Sequence, residues 1–204
     1  MYSQVVAVPL TDRHIVQTRT RPIPVERPDC SDLMRRHLDG DDAAFIALFT
    51  TMNHRLYLYA LKLLGNEEQA EDLTQELWEK VIHLRHRQEP VHNAIAFLVR
   101  MARNLCYNHL KVRNRTTPLT EIEEERQAAR RHGEMSDREQ AVHDALEELP
   151  VEYREVLVLH VYCGYQFEEI AAMLDKTPEA IWKRASRARA KLRERVLALD
   201  AQRA

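Results

Sequence analysis

The sequence predicts an all-α protein: two small helical domains joined by a flexible linker. Three observations predict it. Glycine occurs four times in 204 residues, β-branched runs are few, and Ala, Leu, Arg and Glu are abundant, which favours helix over sheet. Apolar residues recur at steps of three and four through most of the chain. Between Arg113 and Gly133 this periodicity stops, and Pro118, the acidic run Glu121 to Glu125, and Arg130 and Arg131 take its place. The predicted division is an N-terminal extension over 1–31, a first domain over 32–113, a linker over 114–135 and a second domain over 136–204.

The extension carries Pro9, Pro22, Pro24 and Pro28 among polar residues, and X-Pro pairs end helices, so a mobile arm is expected. Periodicity begins near Asp32 and runs through Leu33, Leu38, Phe45, Leu48, Phe49, Met52, Leu56, Tyr59, Ala60 and Leu63. Gly40 divides it into a short helix and a long one, and Gly65 ends the second in the position a C-terminal glycine takes. Asn66 with Gln69 three residues on forms a capping-box pattern. The helix it opens reaches about His86, with Ala70, Leu73, Leu77, Val81 and Leu84 on one face. A loop around Pro90 covers Gln88 to Asn93. The next helix spans about Ala94 to Val112, with Phe97, Leu98, Met101 and Leu105 inside. In the second domain Ala141, Ala145, Leu146 and Leu149 define a helix stopped by Pro150. Val156, Leu157, Leu159 and Val161 define the next, Phe167 to Leu174 a short third, and Thr177 opens the last.

Net charge is −2, but the charge is segregated. Asp39 to Glu79 holds nine acids and two bases, Phe97 to Arg115 five bases and no acid, and Lys176 to Arg195 eight bases and two acids. Such blocks mark separate surfaces for separate partners. Three cysteines, Cys30, Cys106 and Cys163, make no disulfide framework and read as reduced thiols of a cytoplasmic protein. No apolar run approaches the roughly 20 residues of a membrane span, so no membrane insertion is expected.

The last two helices carry the most specific pattern. Asp175-Lys176-Thr177 joins them; Thr177 suits the N-cap and Pro178 the first helical position. Ile170, Ala171 and Leu174 are placed to pack on Ile181, Ala185 and Ala188, the small alanines allowing close approach. A short helix, a three-residue turn and a basic second helix form a helix-turn-helix. Its groove-facing candidates are Trp182, Lys183, Arg184, Ser186 and Arg187, because Arg and Lys donate to guanine edges and phosphates. Arg189, Lys191, Arg193 and Arg195 lie further along, nearer the phosphates. The rival reading is a charged solvated helix with Trp182 in a core.

Two earlier helices complete the set. Glu67 to Val81 places Asp72, Gln75, Glu76 and Glu79, with Glu68, on or near one face opposite Leu73, Leu77 and Val81. With no histidine at ligand spacing and no Gly-rich phosphate loop, this is either a solvated face or a dock for a basic partner. Ala94 to Arg115 is basic and carries Arg100, Arg103, Asn104, Tyr107, Asn108, His109 and Lys111; asparagine reads base edges and aromatics stack on unpaired bases.

GDDAAFIALF (Gly40–Phe49), AEDLTQELW (Ala70–Trp78), FLVRMARNLCYNHLK (Phe97–Lys111), LEELPVEYREVLVLHVYCGYQFEEIAAML (Leu146–Leu174) and the final helix follow one another at a known family's spacing. Over Asp32 to Val196 the chain resembles the extracytoplasmic-function sigma factors, the small two-domain group of the bacterial sigma-70 family. The resemblance implies a region-two bundle and a region-four helix-turn-helix, with core RNA polymerase (β′ clamp helices and β flap) and promoter DNA as partners. It implies that Asp72, Gln75, Glu76 and Glu79 dock on polymerase. Asn104, Arg100, Arg103, Tyr107, Asn108 and Lys111 would meet the −10 element, and Trp182, Lys183, Arg184, Ser186, Arg187 and Arg189 the −35 element. The polymerase would supply the chemistry, so no enzymatic activity, cofactor or metal is expected. The family's docking motif usually opens on an acid where this chain has Gln69. Thr50, Thr51 and Thr74 lie close by and are candidate phosphorylation sites for a regulatory kinase; an anti-sigma factor is the other candidate regulator. Two alternatives stand beside this reading. One is a stand-alone helix-turn-helix regulator on an operator; the other is a metal or redox enzyme using His160, Cys163, His83 and His86.

Overall fold

The computed structural model describes residues 29–85, 91–116 and 137–203, and among them every regular element is helical. The N-terminal half contains α1 (Cys30–Leu38), α2 (Asp42–Leu64), α3 (Glu67–Ile82) and α4 (Ala94–Thr116). The C-terminal half contains α5 (Asp137–Glu147), α6 (Val151–Leu157) continued by a π-turn (Val158–Tyr162), α7 (Phe167–Leu174) and α8 (Pro178–Arg203). The expectations for the N-terminal arm, for residues 86–90 and for 117–136 of the linker lie outside the described residues.

Local chemistry sets the helix ends. α1 starts at Cys30, ahead of the expected Asp32, because the Asp29 carboxylate accepts from the backbone N–H groups of Ser31 and Asp32; such a cap is worth about 1 kcal/mol. Gly40 and Gly65 both take positive φ, and Gly65 closes α2 by donating its N–H to the Leu61 carbonyl at 2.8 Å. Asn66 accepts from the Gln69 N–H at 2.9 Å. The return half of the expected capping box is not made, since Gln69 Oε1 is buried without a hydrogen bond. α4 continues past Val112 to Thr116.

α2 is the axis of the first half, packed by α1, α3 and α4. Leu48, Met52, Leu56, Tyr59, Ala60 and Leu63 are buried along it at helical spacing. In α4 the fully buried line is Ala94, Leu98, Ala102 and Cys106, whereas Phe97, Met101 and Leu105 are half-buried. In the second half α8 packs against α5, α6 and α7. Ile170, Ala171, Ile181, Ala185 and Ala188 are all buried in its core, as the sequence predicts, while Leu174 is only partly buried against it. Val161 departs from expectation: it is exposed. The Cys163 N–H reaches the Val158 carbonyl, five residues back, and this widened turn rotates Val161 and Tyr162 outward.

The two halves are docked. One continuous buried cluster runs from α1 through α8. α4 meets α7, and α2 meets α6 and the π-turn.

Candidate docking groove and nucleic-acid interfaces

Between α2 and α3 lies an open groove of about 700 Å³. Phe45, Ile46, Phe49, Tyr57, Trp78 and Ile82 give it an apolar floor, and Glu71, Gln75 and Glu79 line its α3 edge. Trp78 anchors it: its Nε1–H donates to Asn53 Oδ1 at 2.8 Å, and its ring lies 5.9 Å from Phe45, edge-on, and 5.0 Å from Phe49. Ile46 is 63% exposed, Phe49 38% and Ile82 45%. Adjacent exposed apolar side chains with an acidic rim have the character of an interaction surface, which makes this groove the candidate dock.

Of the residues expected to dock, Gln75 and Glu79 line this groove and hydrogen-bond to each other at 2.9 Å. Asp72 and Glu76 are exposed on the neighbouring face of α3, where Glu76 pairs with Lys80 at 3.2 Å. Glu71 is the groove carboxylate that the sequence reading did not single out. A step of four residues places it in line with Gln75 and Glu79.

Thr50 is exposed on α2, next in sequence to the groove residue Phe49, and donates to the Ile46 carbonyl at 2.8 Å. Thr51 is half-buried and donates to Ala47, whereas Thr74 is buried and donates to Ala70 at 2.6 Å. Of the three hydroxyls Thr50 is the most accessible and Thr74 the least.

α4 divides its polar residues. Arg100, Asn104, Asn108 and Lys111 are exposed at steps of four, four and three, which makes one stripe. Arg103 and Tyr107, one turn apart on an adjacent face, are half-buried and turned to the C-terminal half. Both bind the carboxylate of Glu155, through Arg103 Nε at 2.9 Å and the Tyr107 hydroxyl at 3.0 Å. Burial and the Glu155 charge raise the Tyr107 pKa, so it stays a donor.

On α8, Trp182, Lys183, Ser186 and Arg187 share the exposed face, opposite buried Ile181, Ala185 and Ala188. Thr177 Oγ1 accepts from the Ala180 N–H at 3.3 Å, and Asp175 turns the chain in the left-handed region at φ 54°. Trp182 is 59% exposed, which removes the core reading of that side chain. Arg184 is half-buried. Arg189 lies off this face, its guanidinium 5.6 Å from the Phe167 ring centroid, and burial lowers its pKa.

The residues proposed for metal chemistry are engaged otherwise. His160 Nδ1 bonds the Tyr165 carbonyl, and the Cys163 thiol faces the Arg55 carbonyl at 3.7 Å with its pKa pushed up by burial to about 12. His83 bonds the Glu79 carbonyl; His86 lies outside the described residues.

Residues 48–116 match the family model for sigma-70 region 2, and residues 139–192 the model for sigma-70 region 4. The RNA polymerase sigma factor CarQ of Myxococcus xanthus is 33% identical across 79% of this chain and 94% of its own length. The extracytoplasmic-function sigma factor SigM of Mycobacterium tuberculosis is 30% identical across 82% of this chain and 84% of its own. The chain belongs to the extracytoplasmic-function sigma factors of the sigma-70 family.

The fold agrees with solved sigma factors. It matches the structure of CnrH in complex with the cytosolic domain of CnrY, with a TM-score of 0.63 at 25% identity over 85% of this chain and 98% of that one. It matches RpoE in complex with the anti-sigma factor NepR from Bartonella quintana, with a TM-score of 0.55 at 26% identity over 74% and 95%. As a sigma factor, the chain binds core RNA polymerase and directs promoter-specific transcription initiation. The stand-alone regulator reading is not favoured: the chain matches region 2 as well as region 4, and an operator-binding helix-turn-helix has no need of region 2.

Proposed function

We propose that this sigma factor docks on the β′ clamp helices of polymerase through the α2–α3 groove and reads promoter DNA with α4 and α8. The observation that carries the docking assignment is the exposed apolar floor of that groove beside Glu71, Gln75 and Glu79. Asp72 and Glu76 extend the negative field along α3 and steer a basic partner toward it. Arg100, Arg103, Asn104, Tyr107, Asn108 and Lys111 meet the −10 element, where asparagine reads base edges and the aromatic stacks on an unpaired base. Trp182, Lys183, Ser186 and Arg187 enter the −35 major groove, with Arg184 and Arg189 at its margin. Residues 32–113 act as region two and 136–204 as region four, which also contacts the β flap; 114–135 connects them and 1–31 is an extension. The polymerase supplies the catalysis, so the factor works in the cytoplasm as a non-enzymatic subunit.

The test is holoenzyme formation with purified core polymerase. Reversing the groove edge in Glu71→Arg/Glu79→Arg is expected to weaken binding at least about 30-fold, since charge pairs at interfaces carry about 2 kcal/mol or more. Reversing Asp72 and Glu76 instead should mainly slow association. If the first variant binds as wild type does, the groove is not the docking site.

Two regulators fit the same groove. An anti-sigma factor, of the kind present in the matched RpoE structure, would cover its apolar floor. Phosphorylation of Thr50 would add about −1.5 to −2 charges near the docking edge, on a chain that has Gln69 where relatives usually carry an acid. Thr50→Glu should therefore bind core polymerase about threefold more tightly at low salt; unaltered affinity removes this mode of control.

A further inference from the structure

The α2–α3 groove is apolar along its floor and negative along its α3 edge. From Glu67 to Ile82, α3 holds six acids and one base, and Ile46, Phe49 and Ile82 of the floor are exposed. Residues 1–28, which precede the described part of the chain, have the complementary composition. Val5, Val6, Ala7, Val8 and Leu10 form an apolar block, and Arg13, Arg19, Arg21 and Arg27 follow it against Asp12 and Glu26. An apolar block with a basic flank suits a groove with an apolar floor and an acidic edge.

The same segment is tied to the fold within reach of the groove. It joins at Asp29, the N-cap of α1. The other end of α1 touches the groove: the His37 ring lies 5.1 Å from that of the floor residue Phe45, and His37 Nε2 is 3.0 Å from the Val81 carbonyl near the end of α3. Along the helix axes, Cys30 to His37 rises about 10 Å and Phe45 to Tyr57 about 18 Å. Residues 11–28 can extend to about 60 Å, well beyond the sum of those two paths. Val5 to Leu10, if extended, covers about 20 Å, which is the length of the floor. Tethering of this kind gives an effective concentration of about 1 mM, so a contact with an intrinsic Kd of about 0.1 mM fills the groove about nine-tenths of the time. A second copy offers the same segment without the tether, at its much lower bulk concentration.

We propose that residues 1–28 are the intramolecular occupant of the α2–α3 groove in the free protein, with Val5 to Leu10 on its apolar floor and Arg13, Arg19 and Arg21 along Glu71 and Glu79. A polymerase that docks in the groove then has to displace them. That consequence rests on the docking reading given above, whereas the occupancy does not.

The test uses the full chain. Ile46→Cys puts a thiol on the exposed floor, and Leu197→Cys puts one on an exposed part of α8 as a control, while Cys30, Cys106 and Cys163 are buried. Alkylation by iodoacetamide, a neutral reagent, is timed for each thiol with the native segment, with Val6→Asp/Val8→Asp and with Arg19→Glu/Arg21→Glu. Emptying a groove that is about nine-tenths filled should speed alkylation at position 46 about tenfold in the valine variant, and with Ile46 native it should tighten core polymerase binding about tenfold. The arginine variant should move both the same way by a smaller factor. Position 197 should not respond, and the acceleration at position 46 should not depend on protein concentration. Equal rates at position 46 in all forms of the segment would overturn the proposal, as would an equal acceleration at position 197. Protection seen only at high protein concentration would also overturn it, because the occupant would then be a second copy. So would tighter polymerase binding at an unaltered alkylation rate, because residues 1–28 would then act away from the groove. Faster alkylation with unaltered polymerase affinity would uphold the occupancy and remove the groove as the polymerase dock.

Discussion

Replacing Phe49 with aspartate is expected to abolish holoenzyme formation, weakening core polymerase binding by at least about 100-fold, while the free protein keeps its helicity. Phe49 lies 5.0 Å from Trp78 and 6.4 Å from Phe45, in the floor of the α2–α3 groove, and 38% of its surface is open. Aromatic anchors at the centre of interfaces cost about 2–4 kcal/mol when truncated, and a carboxylate adds a desolvation penalty against any partner that covers it. In the free protein that carboxylate turns to solvent, so the loss of stability is small, about 1 kcal/mol. Phe49→Leu should restore most of the binding, because an apolar floor is what the partner needs. Affinity measured by polarisation of labelled sigma factor, with circular dichroism as the fold control, checks both parts. Binding by Phe49→Asp at wild-type strength would move the dock elsewhere.

Phe49 also shows where sequence reasoning stops. Helical periodicity marks the apolar face of α2, yet it cannot separate residues covered by this chain from residues kept for a partner. Leu48 and Met52 are fully buried and Phe49, beside them, is not. Three helix ends were legible because they are decided locally: the Gly65 stop, the Asn66 start and the Thr177-Pro178 start need no knowledge of distant residues, whereas α3 ends at Ile82, short of the expected His86. The same holds for the exposed face of α8, which follows from its buried alanines. Glu155 and Arg154 were not legible, since charged residues are rarely buried and their partners lie 48 to 96 residues away for Glu155 and 91 for the Leu63 carbonyl. The Val161 error has a similar source. A single widened turn after Leu157 shifts the phase of everything beyond it, and no residue in VLHVY announces it.

The second large effect sets two adjacent residues of α8 against each other. Ile181 has no exposed surface and packs in the helix-turn-helix core, whereas Trp182 is 59% exposed. Ile181→Asp places a carboxyl group in the buried apolar cluster that holds Ile170, Ala171 and Ala185, and should cost more than about 4 kcal/mol. The C-terminal half should then melt first on heating, and duplex binding at the −35 element should vanish with it. Polymerase binding through the groove should survive, though weakened by loss of the β-flap contact. Trp182→Ala should leave the melting temperature almost unchanged, within about 0.5 kcal/mol of stability, and still reduce affinity for a −35 duplex about tenfold. Salt separates the roles further. Trp182 carries no charge, so its loss should lower affinity without changing the salt slope. Lys183→Ala should reduce that slope by about one as a phosphate contact is removed. If Trp182→Ala leaves duplex affinity intact at every salt concentration, the exposed indole does not face DNA. The reading face of α8 must then be set by Lys183, Ser186 and Arg187 alone.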